Sequence, residues 1–306
     1  MYGRRSTWSF IACMAACVVS LAAIASERRA PKEAVVVLSR EADPFRKCEK
    51  AAREVLQSDG WSVRTVVLDD KSSAGPVEGY GSAKLLTVGT EATEWSKGKG
   101  LETVFCMVAD AEGAGLATSP AIAGILAEIP AARQVALIKQ GLPNAKVIGV
   151  LYKKDSARGE RSLAGLRAEA AKAGLNVEAE GVDSKDAIGA ALNSLLKRGI
   201  DILWTMPDGS LYDANTIKAV LRATLEERVP VFGFSTPVVR AGALMGVGIT
   251  PEAQGRQAAR LMIARSSNPT AGQMVAPEFE ITVNQVVAER LGVTLPTALA
   301  AGSKGD

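Results

Sequence analysis

The chain has no histidine among its 306 residues. Histidine is the commonest general base near neutral pH and the commonest metal ligand. A Ser-His-Asp hydrolase, a Cys-His protease and a His-ligated zinc enzyme are therefore excluded, and catalysis in general is disfavoured. Cysteine is scarce: Cys13, Cys17, Cys48 and Cys106 form no CxxC and no metal-ligand spacing. Excess charge is missing too, with 36 basic residues against 33 acidic ones. Arg4 and Arg5 lie in an acid-free first segment, and without them 34 basic residues face 33 acidic ones. That balance offers nothing to nucleic acid or to an anionic membrane surface. A dinucleotide fingerprint is also lacking. The pairs Gly113/Gly115 and Gly246/Gly248 do not have GxGxxG spacing, and no helix opens directly after them. They are read as hinge or close-approach glycines. There is no repeat of solenoid period and no low-complexity block. No cofactor and no metal is expected.

Hydrophobic residues make up 47% of the chain and charged residues 23%, a soluble globular balance. The length suits two lobes of ordinary size. Residues 1–25 read as an export signal: Arg4 and Arg5, an apolar run over 10–24, then Ala23-Ile24-Ala25 as an A-x-A cleavage pattern. The run is shorter than the roughly 20 residues a membrane span needs. A lipid anchor at Cys17, within Met14-Ala15-Ala16-Cys17, is the alternative. Either way the mature chain is expected in the periplasm or another extracytoplasmic space. Cleavage leaves Cys48, near the start of a helix, and Cys106, inside a strand. Export permits a disulfide, but two separately buried thiols are the expectation.

Short β-branched runs alternate with amphipathic helices. Strands are predicted over residues 34–39, 63–67, 85–89 and 103–108, then 147–152, 176–179, 200–205 and 229–234. Helical stripes lie between them, such as Leu163, Leu166 and Ala170, or Ile217, Val220, Leu221 and Leu225. Continuous apolar strands alternating with helices mean parallel sheets covered on both faces. Gly113, Gly115, Pro120 and Gly124 mark a change between two such series. The fold class predicted is α/β, with two doubly wound parallel-sheet lobes. Residues 298–306 are expected to be a disordered tail.

Several strings in fixed order resemble the ABC-transporter substrate-binding proteins that include tryptophan- and phenylalanine-binding members. Leu86-Thr87-Val88-Gly89-Thr90-Glu91-Ala92 looks like that family's strand and turn. Phe105-Cys106-Met107-Val108-Ala109-Asp110 with Gly115-Leu116 looks like its strand and crossing. Leu142-Pro143-Asn144-Ala145-Lys146, running on to Gly149-Val150-Leu151-Tyr152, is similar to its entry into the second lobe. Pro230-Val231-Phe232, Gly255-Arg256-Gln257-Ala258-Ala259 and Val283-Asn284 match later segments. The resemblance covers about residues 34–297. It implies a periplasmic-binding-protein type I clamp whose three-crossing hinge closes on ligand. Lobe 1 is then expected over about 32–117 and 249–277, and lobe 2 over about 118–248 and 278–297, with crossings near Gly115, Gly246 and Phe279. It also implies a membrane permease as partner, and the chain itself is expected to be a monomer. Glu91, Lys153-Lys154 and Gly233-Phe234-Ser235 depart from the family pattern.

In open α/β sheets ligands bind beyond the C-terminal strand ends. This selects Ser39, Thr90, Asp110, Tyr152, Asp208 and Ser235. Thr90 either caps a helix or helps hold an anion at its N-terminus. Glu91 either faces the ligand or favours the first helical turn. Asp208 in Pro207-Asp208-Gly209 is a turn residue or a carboxylate for an ammonium group. Trp204 is read as core. Asp155 and Ser156 follow Tyr152 where the family places ligand contacts, or else cap a helix. The reading is a non-enzymatic solute-binding protein of an ABC importer, its ligand amino-acid-like, with ammonium toward Asp208 and carboxylate toward Thr90. A ligand-sensing module for a membrane receptor and an isomerase-type enzyme between two lobes are the alternatives. The export reading predicts that N-terminal sequencing of the secreted protein begins at or near Ser26; a retained 1–25 segment contradicts it.

Overall fold

The structure, a computed structural model, describes residues 32–68, 83–116, 121–300 and 304–305. The export segment over 1–25, with Cys17, lies outside the described residues.

The first lobe begins with β1 (Glu33–Leu38), whose EAVVVL run is buried from Ala34 onward. Helix α1 (Asp43–Ser58) follows. Pro44 stands in its first turn beside Asp43, and Phe45, Cys48, Ala52 and Leu56 form its buried stripe. Strands β2 (Ser62–Val67), β3 (Lys84–Val88), β4 (Thr103–Val108) and β5 (Ile122–Leu126) complete the run, with α2 (Thr90–Ser96) after β3. Helix α3 (Ala131–Gly141) then opens the second lobe. It is followed by β6 (Val147–Lys153), α4 (Ala157–Lys172), β7 (Asn176–Val182), α5 (Ile188–Lys197) and β8 (Ile202–Trp204). Next come α6 (Ala214–Glu226), β9 (Val231–Gly233), α7 (Thr236–Ala241) and β10 (Met245–Gly248). The chain returns through α8 (Pro251–Ser267) and β11 (Met274–Val275). It ends with β12 (Phe279–Val283), α9 (Gln285–Leu291), α10 (Thr297–Ala300) and β13 (Lys304–Gly305).

Two sheets result, ordered β11-β5-β4-β3-β1-β2 and β13-β12-β10-β9-β8-β6-β7. The first is parallel throughout. The second is parallel from β7 to β10 and antiparallel at β12 and β13. Parallel strands need long crossovers, and helices supply them after β1, β3, β6, β7, β8 and β9.

The structure differs from the sequence reading at two places. Ile122–Leu126 is a fifth strand paired with β4, so the first change of sheet comes after Leu126, not near Gly115. Gly124 is the reason the strand was not recognised: it reads as a breaker, yet a methyl there would run into the Phe105 ring on β4. The second change of sheet falls between the end of β10 at Gly248 and the start of α8 at Pro251, next to the expected crossing near Gly246. A methyl on Gly246 would meet the Gly233 carbonyl, so close strand approach explains the glycine. Finally, the 298–306 segment contains ordered elements: Leu299 is buried in the second lobe's core, and β13 pairs with β12.

Helices α1 and α8 pack closely in the first lobe. Ala258, Ala259 and Met262 of α8 join Cys48, Ala52 and Leu56 of α1 in one apolar core. Gly255 lies where a methyl would overlap the Cys48 carbonyl and press on the Ala52 N–H. Backbone cannot yield as a flexible side chain can, so Gly255→Ala should destabilise the protein by about 1–3 kcal/mol. Gly189→Ala, on an exposed helical site with nothing within 4 Å, should be neutral or slightly stabilising. Urea unfolding of the two variants checks the contrast; equal midpoints would remove the close-approach reading of Gly255.

Candidate functional site

A cavity of about 650 Å³ lies between the lobes. Its first-lobe wall comes from the end of β4 and from the start of α8. Strand β4 loses register with β5 between Phe105 and Val108. Met107 takes a left-handed backbone, φ 56°. Such irregularities re-aim a strand end and cluster at functional sites. Gln254, buried in the first turn of α8, holds this one. Its Oε1 accepts from the Met107 N–H at 3.0 Å, and its Nε2 donates to the Leu126 carbonyl at 3.0 Å. The chain then turns at Asp110, whose Oδ1 accepts from the Gly113 N–H at 2.8 Å. A side chain at Gly113 would clash with that carboxylate, so Gly113 is a close-approach glycine.

The second-lobe wall is apolar over Trp204, Met206, Phe234, Val247 and Ile249, with charge at one edge. Trp204 is buried, its indole N–H donating to Gln134 Oε1 at 2.8 Å while its ring lines the cavity. It is therefore both core and cavity wall. The charged edge is the first part of α4. Ser156 caps that helix, accepting from the Gly159 N–H at 3.1 Å, and Asp155 before it has φ 57°. The cap fixes how α4 starts, and Arg158 and Arg161, three residues apart, come to lie on one face. Arg161 Nη2 reaches Asp110 Oδ2 at 2.6 Å, and its Nε is 3.8 Å from Glu112. Arg158 Nε is 2.8 Å from Glu128 Oε1, and its Nη1 donates to the Pro207 carbonyl at 3.2 Å. The Asp110–Arg161 pair joins the two lobes directly. Partial burial pushes the Asp110 carboxyl up, but the Gly113 N–H and the Arg161 guanidinium outweigh it, and it ends below the ordinary value of 3.8. Its contribution to stability is therefore present above that value and lost as pH falls through the lowered one.

Of the residues selected from sequence, Asp110 and Ser235 line this cavity. Ser235 also caps α7, its Oγ accepting from the Val238 N–H at 3.4 Å. The others have different surroundings. Gly89, with φ 93°, takes the N-cap position of α2, so Thr90 is its first helical residue and not its cap. The cap acceptor is supplied from just beyond β1, where Ser39 Oγ accepts from the Ala92 N–H at 3.0 Å. Glu91 is exposed, 3.7 Å from Arg40. Tyr152 packs against the second lobe's core. Asp208 turns its carboxylate to its own loop, accepting from the Ser210 N–H at 2.8 Å and from the Ser210 hydroxyl. An Asx turn thus satisfies the group that the sequence offered as an ammonium anchor. Arg158, Arg161, Glu128 and Gln254 were missed, because charged and amide side chains on helices and loops normally read as solvated surface. The doublet Arg158/Arg161 right after a capping Ser is the one signal that pointed to them.

Cys48 and Cys106 are two buried free thiols, as expected from the sequence, but they are neighbours and not far apart. Their sulfurs lie 3.4 Å apart, fully buried in the first lobe's core. Neither lines the cavity.

A family model described as ABC transporter substrate binding protein matches residues 88–304. A tyrosine-binding protein from Clostridioides difficile (strain R20291) is 27% identical over 152 residues. That match takes in 49% of this chain and spans 43% of the relative's length. Among solved structures, an ABC domain in complex with L-Trp from Streptococcus pneumonia has a TM-score of 0.64 at 21% identity. The match covers 89% of this chain and 98% of that one. The ligand-free, open form of a substrate-binding protein with adhesive properties from Clostridium difficile has a TM-score of 0.73 at 18% identity, covering 87% and 96%. These likenesses agree with the type I periplasmic-binding fold. With the family model spanning most of its length and a cavity between two α/β lobes, the chain belongs to the ABC transporter substrate-binding proteins.

Proposed function

We propose that the ligand is an amino-acid-like zwitterion, held between Asp110 and Arg161 as the lobes close. The observation that carries this reading is the charge pair itself: one acid and one base, from opposite lobes, at the edge of a mostly apolar cavity. A ligand with a carboxylate and an ammonium group can enter between them. The carboxylate takes Arg161, whose planar fork binds carboxylates in a bidentate manner. The ammonium takes Asp110. Each charge exchanges one partner for another, so little is lost on entry, and closure then strengthens both contacts by excluding water. Trp204, Phe234 and Ile249 face the ligand's side chain. A volume of about 650 Å³ is in the range of pockets for small molecules. The relatives named for tyrosine and solved with L-Trp support the ligand class.

The anchors are thereby moved from Asp208 and Thr90 to Asp110 and Arg161. Catalysis is not part of this reading: the two cysteines that an isomerase could use are sealed in the core. The protein works outside the cytoplasm, after cleavage of its first 25 residues, as a monomer that presents its closed form to a membrane permease. Contact with nucleic acid has no place in it.

Calorimetry of the mature chain against a panel of amino acids, peptides, nucleosides and sugars tests this. With the ligand found, Arg161→Ala should weaken binding by about 2 kcal/mol or more, roughly 30-fold. Asp208→Ala should leave affinity within about threefold, since its loop contacts are its own. A strong effect at Asp208 with none at Arg161, or a sugar as the tight ligand, would refute the assignment.

A further inference from the structure

We propose that Cys48 and Cys106 are a disulfide pair that closes while the chain folds in an oxidising compartment. Cys48 lies on the buried face of α1 and Cys106 in β4, next to the middle of the first sheet. Their sulfurs are 3.4 Å apart, and both residues are 0% exposed. A disulfide needs about 2.05 Å, so the sulfurs must approach by roughly 1.4 Å, within reach of small side-chain rotations. The helix is already pressed onto the sheet at this point. Gly255 of α8 packs against the Cys48 carbonyl from the other side, so α1 has no room to move away. Among the described residues, these two are the only cysteines, and no alternative pairing competes within the fold.

The reaction balances simply. Two thiols lose two protons and two electrons and form one S–S bond. The electrons pass to an external disulfide, carried by a thiol oxidase or a small molecule, which is reduced to two thiols. No such reagent reaches the finished core, because neither sulfur touches solvent. The bond therefore forms before α1 seals onto β4, and once formed it is shielded from reductant. Its consequence concerns the cavity. Strand β4 continues into Met107 and Asp110, so the link ties the strand that carries the ligand anchor to the helix pair behind it. This inference rests on the extracytoplasmic reading for its oxidant, but not for its geometry.

The test is to refold the reduced, denatured mature protein, which lacks Cys13 and Cys17, in a mixture of oxidised and reduced glutathione. Free thiols are then alkylated in denaturant and the peptides are mapped by mass spectrometry. The expected result is a linked peptide pair containing Cys48 and Cys106, both protected from alkylation. Protein refolded and kept in reductant, so that the link never forms, should then unfold roughly 5–15 °C lower than the linked protein. In Cys48→Ala the midpoint should not respond to reductant. Full alkylation of both cysteines after oxidative refolding, or a midpoint indifferent to reductant in the unaltered protein, would overturn the proposal. A wrong compartment would be seen differently: the cellular protein would fractionate with the cytoplasm while the refolded protein still carried the link.

Discussion

The contact between Asp110 and Arg161, 2.6 Å across the gap between two separately built sheets, is what makes the cavity a place where charge can be exchanged. Neither residue is held by its partner alone. Asp110 is placed by the irregular end of β4, by Gln254 behind it and by the Gly113 N–H beneath it. Arg161 is placed by α4, whose start is set by the Ser156 cap. Both side chains are about one-third exposed, at 35% and 36%. Pairs that solvent can reach contribute about 1 kcal/mol or less. The bridge therefore biases the lobes toward one another without locking them. A buried pair would be too costly to separate, and no pair at all would leave the lobes without a guide.

The chain changes sheet after β5, after β10 and between β11 and β12. Three short connections hold two bodies, each with its own apolar core. The closure proposed above needs only small backbone rotations in these three connections, with both cores left intact. Several walls of the cavity lie beside these connections: Ala127 and Ile129 at the first, Ile249 and Thr250 at the second. The proposed ligand contact and the proposed closure thus share the same residues. Close packing behind the wall, at Gly255 against Cys48 and at Gly124 against Phe105, lets each lobe move as a unit.

The fold was largely legible because parallel strands buried on both faces must be continuous apolar runs. Ala34 to Leu38 and Val147 to Tyr152 could hardly be anything else. Strand β5 was not legible, since its central glycine is explained only by a phenylalanine ring on the neighbouring strand. The site was legible in part. Strand ends pick out Asp110 and Ser235 for a topological reason. The same rule picks Ser39 and Asp208, whose polar groups the structure gives to a helix cap and an Asx turn. Nothing local distinguishes a capping Ser from a ligand-binding one. Arg161 and Gln254 act on partners 51 and 147 residues away, a relation that no local pattern encodes.

A crystal structure of the mature protein with its bound amino acid is the most direct measurement of where the ligand is held. The account predicts the ligand's carboxylate on the Arg161 guanidinium, its ammonium on Asp110 and its side chain against Trp204 and Phe234, with the direct Asp110–Arg161 contact replaced. A ligand bound against Thr90 and Asp208 with the Asp110–Arg161 bridge intact would contradict it.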